Sequence, residues 1–218
     1  MVNSIPLDEA GQVRSWLDAS SRPEIEAEIE VIHLEIARAI REVGPHCLAS
    51  GNCCRFEAHG HRLYATGLEV ARCVLLCREE GRDITVGDIE SAVEQGNCPW
   101  QDGRLCTARR GRPTGCRVYF CDPRLQDLVP DLAEDAHREI RAIHDRFNVP
   151  YAYGEWRTML RDILTLAPPL GPAAPGPVRT VTPRSGRGER LVDLRILAGE
   201  RRSPHETGSR RGLSVVAG

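Results

Sequence analysis

A chain of 218 residues, 41% hydrophobic and 28% charged, is long enough to enclose one hydrophobic core with a tail left over. Its net charge of −2 gives no global signal for nucleic acid or a membrane surface. All 29 basic residues are arginine, which excludes a phosphate-binding P-loop and a lysine Schiff base, since both need a lysine.

The first segment, 1–20, is mixed in character, and Val13, Trp16 and Leu17 are expected to form a short amphipathic turn docked on the body. Ser21-Arg22-Pro23-Glu24 reads as a capping box with proline in the first turn. Ile25, Ile29, Ile32, Ile36, Ile40 and Val43 then recur every three or four residues, which predicts an amphipathic helix ended by Gly44-Pro45. A short strand is expected over 62–65. Thr66-Gly67-Leu68-Glu69 is a second capping box, opening a helix to about 80 whose Val70, Cys73, Val74 and Cys77 share a face. Cys73 and Cys77 are read as small hydrophobes of the core rather than ligands. A shorter helix over 85–95 turns Ile89 and Val93 inward. Leu125, Leu128, Leu132, Ala136, Ile140, Ile143 and Phe147 make one stripe, broken near Pro130 and ended at Asn148-Val149-Pro150. A last helix over 155–166 presents Trp156, Leu160, Ile163 and Leu164.

From 167 the pattern changes. Five prolines fall within 167–177, and 179–218 is rich in Arg, Gly and Ser, so a disordered tail is expected with 191–197 its one plausible strand. From Leu166 onward there are nine Arg against four acidic residues. Without interleaved aromatic residues this is read as a solvated basic tail rather than an RNA-binding one. The expected organisation is therefore an N-terminal segment 1–20, a helical domain 21–166 and a tail 167–218. The fold class is mainly α, with helices packed around an irregular, cysteine-rich centre.

That centre spans 47–121. Seven of the nine cysteines fall in two turn-rich blocks: Cys47, Cys53 and Cys54, then Cys98, Cys106, Cys116 and Cys121. Thiolates clustered on turns suit zinc and iron–sulfur centres, because several soft ligands must converge on one point. Adjacent Cys53 and Cys54 are expected to point their sulfurs apart, one toward a metal and the other toward a second site or the core. His46, His59 and His61 lie beside the first block, with His61 the candidate imidazole ligand. Arg112 and Arg117 flank Cys116, where they could donate to thiolates or pair with Asp102 or Asp122. Trp100, Tyr119 and Phe120 are expected to cover the site, with Pro113 stiffening the approach.

These residues resemble the YkgJ family, the CxxCxxCC zinc- or iron-chelating domain. Its first motif matches Cys47, Cys53 and Cys54, with Ser50 where a second cysteine is expected. Its later Arg-Pro-x-x-Cys-Arg segment matches Arg112, Pro113, Cys116 and Arg117, preceded by Cys98 and Cys106. The resemblance implies a bound zinc ion or iron–sulfur cluster held by cysteines, with Ser50 as a turn residue near the thiolates. Flagellin N-methylase is similar to this family in its cysteine region, so an iron–sulfur enzyme, redox or protein-methylating, is an alternative. A third reading is an interaction module with purely structural zinc and an unknown protein partner. No His-Glu-x-x-His or Gly-x-Ser-x-Gly motif is present, and no catalytic residue is assigned. No apolar run approaches the ~20 residues of a membrane span. The acidic N-terminus does not read as a signal peptide, so a cytoplasmic location with reduced thiols is expected.

Overall fold

The computed structural model describes residues 8–45 and 50–167. Helix α1 (Glu9–Ser20) opens where the Asp8 carboxylate accepts from the Gly11 amide at 2.6 Å. Val13, Trp16 and Leu17 are buried as expected, but on a three-turn helix rather than a short turn. Asp8 and Glu9 favour that length, since both place negative charge at the helix's positive end. The Trp16 indole donates to the Pro150 carbonyl at 2.7 Å.

Helix α2 (Pro23–Val43) buries Ile25, Ile29, Ile32, Ile36 and Ile40, as their spacing predicts. The capping box at Ser21 is not formed. Ser21 is consumed at the end of α1, where its hydroxyl donates back to the Leu17 carbonyl at 3.0 Å, and Arg22 occupies the cap position with no side-chain bond. Gly44, in the left-handed region at φ 62°, ends α2.

Strand β1 (Tyr64–Thr66) pairs antiparallel with β4 (Tyr153–Glu155), Tyr64 opposite Glu155 and Thr66 opposite Tyr153. Helix α3 (Gly67–Glu79) starts from the expected Thr66/Glu69 capping box. A Cβ at Gly67 would collide with the Trp16 ring, so only glycine lets α3 begin against α1. Helix α4 (Val86–Gln95) has its own box at Thr85 and Asp88. Ile89 is fully buried, but Val93 is 41% exposed and Ala92 takes the inward place. The helix packs mainly on α7 (Trp156–Leu166), and so narrow a contact accepts i and i+3 while leaving i+4 outside.

A hairpin unheralded in the sequence follows: β2 (Gln101–Asp102) pairs with β3 (Leu105–Cys106) across Gly103-Arg104, with Gly103 at φ 56°. Helix α5 (Thr114–Val118) is short, and a single 3₁₀ turn, Pro123–Leu125, leads to α6 (Leu128–Arg146). Pro130 falls in the first turn of α6, where no intrahelical amide is required. Leu132, Ala136, Ile140 and Ile143 form the buried stripe, and Asn148 at φ 52° breaks the chain before β4. Trp156, Leu160 and Ile163 are buried on α7.

The assembly is mainly helical. α1 lies on α3, α2 on α5 and α6, and α3 and α4 on α7, with irregular chain over 50–63 and 96–113 between them. Among the described residues no helix is long and apolar enough to cross a membrane. The expected tail beyond 167, with its strand at 191–197, lies outside the described residues, as do His46 and Cys47.

One buried side chain of α2 makes the fold sensitive to acid. His33 is 2% exposed, and neither ring nitrogen has a hydrogen-bond partner among the described residues. Burial, reinforced by the Arg117, Arg72 and Arg112 guanidiniums, lowers its pKa from 6.5 to about 2. The folded chain therefore binds one proton fewer than the unfolded chain between those values, so stability is lost progressively as pH falls from 6.5 towards about 2, because only the unfolded chain takes up the proton. Between pH 6 and 4, wild-type stability should fall by about 1.4 kcal/mol per pH unit more than that of His33→Phe. Denaturant melts at three pH values would show it, and parallel slopes for the two proteins would contradict it.

Candidate metal centre

The two cysteine blocks meet through the backbone. Gly51, at φ 77°, has no room for a Cβ, which would stand 3.0 Å from the Arg104 Cα. This close approach seats the first block against the β2–β3 hairpin. The chain then tightens into a 3₁₀ turn, Asn52–Cys54. There the Cys54 carbonyl accepts from the Cys98 amide at 2.8 Å. Cys98 in turn accepts from the Gln101 amide at 3.0 Å, and Thr107 donates to the Trp100 carbonyl at 2.9 Å. Backbone bonds thus tie both blocks and the hairpin into one knot.

The thiols follow. Cys54 is buried, and the Cys106, Cys53 and Cys98 thiols all lie near enough to bear on its ionisation. Cys53 is exposed and Cys54 buried, so the neighbouring cysteines face different surroundings, although Cys54 remains the largest influence on the Cys53 thiol. The three neighbouring thiols, with burial added, push the Cys54 thiol far up. Cys54 is also the main cause that lowers Cys53 to about 6 and Cys106 to about 7, with Arg112 adding to both. Two of the four sulfurs are thereby poised as thiolates near neutral pH.

Cys116, on α5, faces the same group. Burial raises its pKa, the Cys98 and Cys106 charges raise it further, and Arg112 opposes them. Cys73 and Cys77 are fully buried on α3 with their sulfurs 3.9 Å apart. Burial first, then the bond to Cys77, holds Cys73 well above the ordinary thiol range. Among the described residues no three His, Cys, Asp or Glu side chains stand in a metal-holding arrangement. The chemistry of the donor set nevertheless fits a thiophilic centre: soft sulfurs from two separate segments, two of them ionising readily, beside a guanidinium.

The remaining candidates divide. Cys47 lies outside the described residues. Cys121 is exposed just beyond α5, where, after burial, its charge is a cause of the raised Tyr119 phenol. Ser50 accepts from the Asn52 amide at 3.3 Å, the bond of a turn residue. Arg112 donates to the Arg109 carbonyl at 3.3 Å. Arg117 donates to the carbonyls of Arg112 and Arg110 at 2.9 and 2.8 Å. The expected pairing with Asp102 or Asp122 is not formed, because both guanidiniums hold the main chain of their own loop. Arg124 is the partner of Asp122. His59 is exposed. The His61 Nε2 donates to the Cys53 carbonyl at 3.3 Å, with the ring stacked on Tyr119 at 4.5 Å. Trp100 is buried beside Trp156, 5.8 Å between centroids, and donates to the Arg82 carbonyl.

Sequence reasoning missed Glu69 as part of the site's support. Its Oε2 accepts from the amide and hydroxyl of Thr66, and its Oε1 accepts from the Thr114 amide at 2.8 Å. The capping box was legible, but its second oxygen anchors α5, and with it Cys116, to α3. It also missed Arg157 of α7, which pairs with Glu57 at 2.8 Å, just after the first block. Comparison with protein families, with curated proteins and with solved structures finds no match.

Proposed function

We propose that this chain is a metal-binding protein of the kind the YkgJ resemblance implies, holding zinc or an iron–sulfur cluster through its clustered cysteines. The observation that supports the reading is the nearness of the two cysteine blocks: the Cys98 amide donates to the Cys54 carbonyl at 2.8 Å, and the Cys106, Cys53 and Cys98 thiols bear on the ionisation of Cys54. Soft donors from two separate segments, converging on one region, are what a thiolate centre would draw on. Cys116 and Cys47 are the further ligands in this reading, and Cys121 lies at its edge. Arg112 offsets the negative charge that several thiolates accumulate. A bound metal would supply structural closure of the irregular segments over 50–63 and 96–113. The protein works in a reducing compartment, where these thiols stay free for metal.

Anaerobic purification followed by metal analysis and an absorption spectrum tests the reading. Stoichiometric zinc in a colourless protein, or iron with acid-labile sulfide in a brown one, is the expected result. Protein free of both metals would overturn it.

A further inference from the structure

Beside the cysteine centre lies a cavity of about 180 Å³. Its walls are aromatic: Tyr64 and Tyr153 from the β1–β4 pair, Tyr119 after α5, and His61. Cys53 and Cys116 also line it, so it adjoins the thiols directly. Tyr64 and Tyr153 stack on each other at 5.9 Å yet remain 44% and 49% exposed. The fold thus leaves much of two large rings uncovered. Arg62 lines the same cavity, is exposed, and makes no ion pair among the described residues.

Size and chemistry together narrow the occupant. A cavity of about 150 Å³ accepts benzene, whereas drug-sized ligands need about 300 Å³ or more. This space therefore admits one ring and little else. Aromatic walls favour a planar π-system that can stack or meet them edge-on. An arginine lining the cavity, whose charge reaches the Glu57 carboxylate but which forms no ion pair among the described residues, can hold a carboxylate with two parallel hydrogen bonds. We infer that this cavity binds a small planar aromatic carboxylate, its ring among Tyr64, Tyr119, Tyr153 and His61 and its carboxylate on Arg62. The ring then lies against the Cys53 and Cys116 side chains, so an occupant would cover this flank of the thiol group. The inference goes beyond the metal reading and does not rest on it, since the cavity is formed by the fold as it stands.

The test is a ligand-observed NMR titration of the full-length protein as purified, with benzoate as the probe and metal content measured on each sample. Benzoate should bind saturably, with a dissociation constant of roughly a millimolar for so few atoms. Cyclohexanecarboxylate, which lacks the plane, and benzylamine, which reverses the charge, should each bind at least tenfold more weakly. Arg62→Gln and Tyr153→Ala should each weaken benzoate at least tenfold while keeping the wild-type melting curve. Should Tyr153→Ala melt early, the exposed Arg62→Gln decides. Absence of saturable benzoate binding, equal binding of cyclohexanecarboxylate, or undiminished binding to Arg62→Gln would overturn the inference. Samples that bind benzoate but carry no metal would overturn the metal reading alone. Metal-loaded samples that ignore benzoate would overturn this inference alone.

Discussion

Cys54→Ala is expected to abolish metal binding and to leave a chain that is insoluble or melts without cooperativity. Cys54 is the thiol on whose ionisation Cys106, Cys53 and Cys98 all bear, and it is 6% exposed. A structural thiolate site contributes on the order of 10 kcal/mol, comparable with the whole 5–15 kcal/mol that holds a typical domain together. Losing this ligand would therefore remove most of the margin at once. Cys77→Ala provides the contrast. That residue is equally buried but packs within α3, so its loss should cost roughly 1–2 kcal/mol of packing and leave the metal in place. Metal per chain and a circular-dichroism melt distinguish the two variants. Full metal content with an unchanged melt in Cys54→Ala would remove the centre from the place given to it here.

Glu69→Ala should lower the melting temperature by about 10 °C without touching any cysteine. The carboxylate is 4% exposed and accepts from two main-chain amides and one hydroxyl. Truncation leaves those donors buried and unpaired, at about 1–3 kcal/mol each, or roughly 3–5 kcal/mol together after partial relaxation. For a domain of this size that corresponds to about 10 °C. Glu69→Gln should recover only part of the loss. Both carboxylate oxygens face donors, so one end of the amide must place its own NH₂ against an N–H or O–H. A melt of Glu69→Ala within about 2 °C of wild type would show that α5 is held by packing instead.

The helices were legible in the sequence because their signals are local. The isoleucine ladder of α2, the Thr66/Glu69 box of α3 and the stripe of α6 each specify a face and a boundary within a few turns. Where a signal depended on a neighbour, it failed. Ser21 could not cap α2 once it had ended α1, and Val93 faces out because the contact with α7 is narrow. Strand β4 exists only because β1 is there to pair with it, and two-residue strands such as β2 and β3 carry no periodicity to detect.

The site divided the same way. Cysteines on turns, in two blocks, announced a thiol centre. That the first block would lie against the second follows from the hydrogen bond between the Cys54 carbonyl and the Cys98 amide, which no spacing rule encodes. The role of Glu69 in anchoring α5 was hidden for the same reason, since its second oxygen reaches across the fold. Arg112 and Arg117 divide between the two outcomes. Their side-chain hydrogen bonds go to carbonyls of their own loop rather than to carboxylates, while the charge of Arg112 still bears on Cys53, Cys106 and Cys116.

X-ray absorption at the metal edge tests the thiolate centre most directly. The expected result is a first shell of sulfur only, at about 2.3 Å, present in the wild-type protein and lost in Cys54→Ala. A shell of nitrogen and oxygen donors, or a sulfur shell unchanged by that substitution, would contradict it.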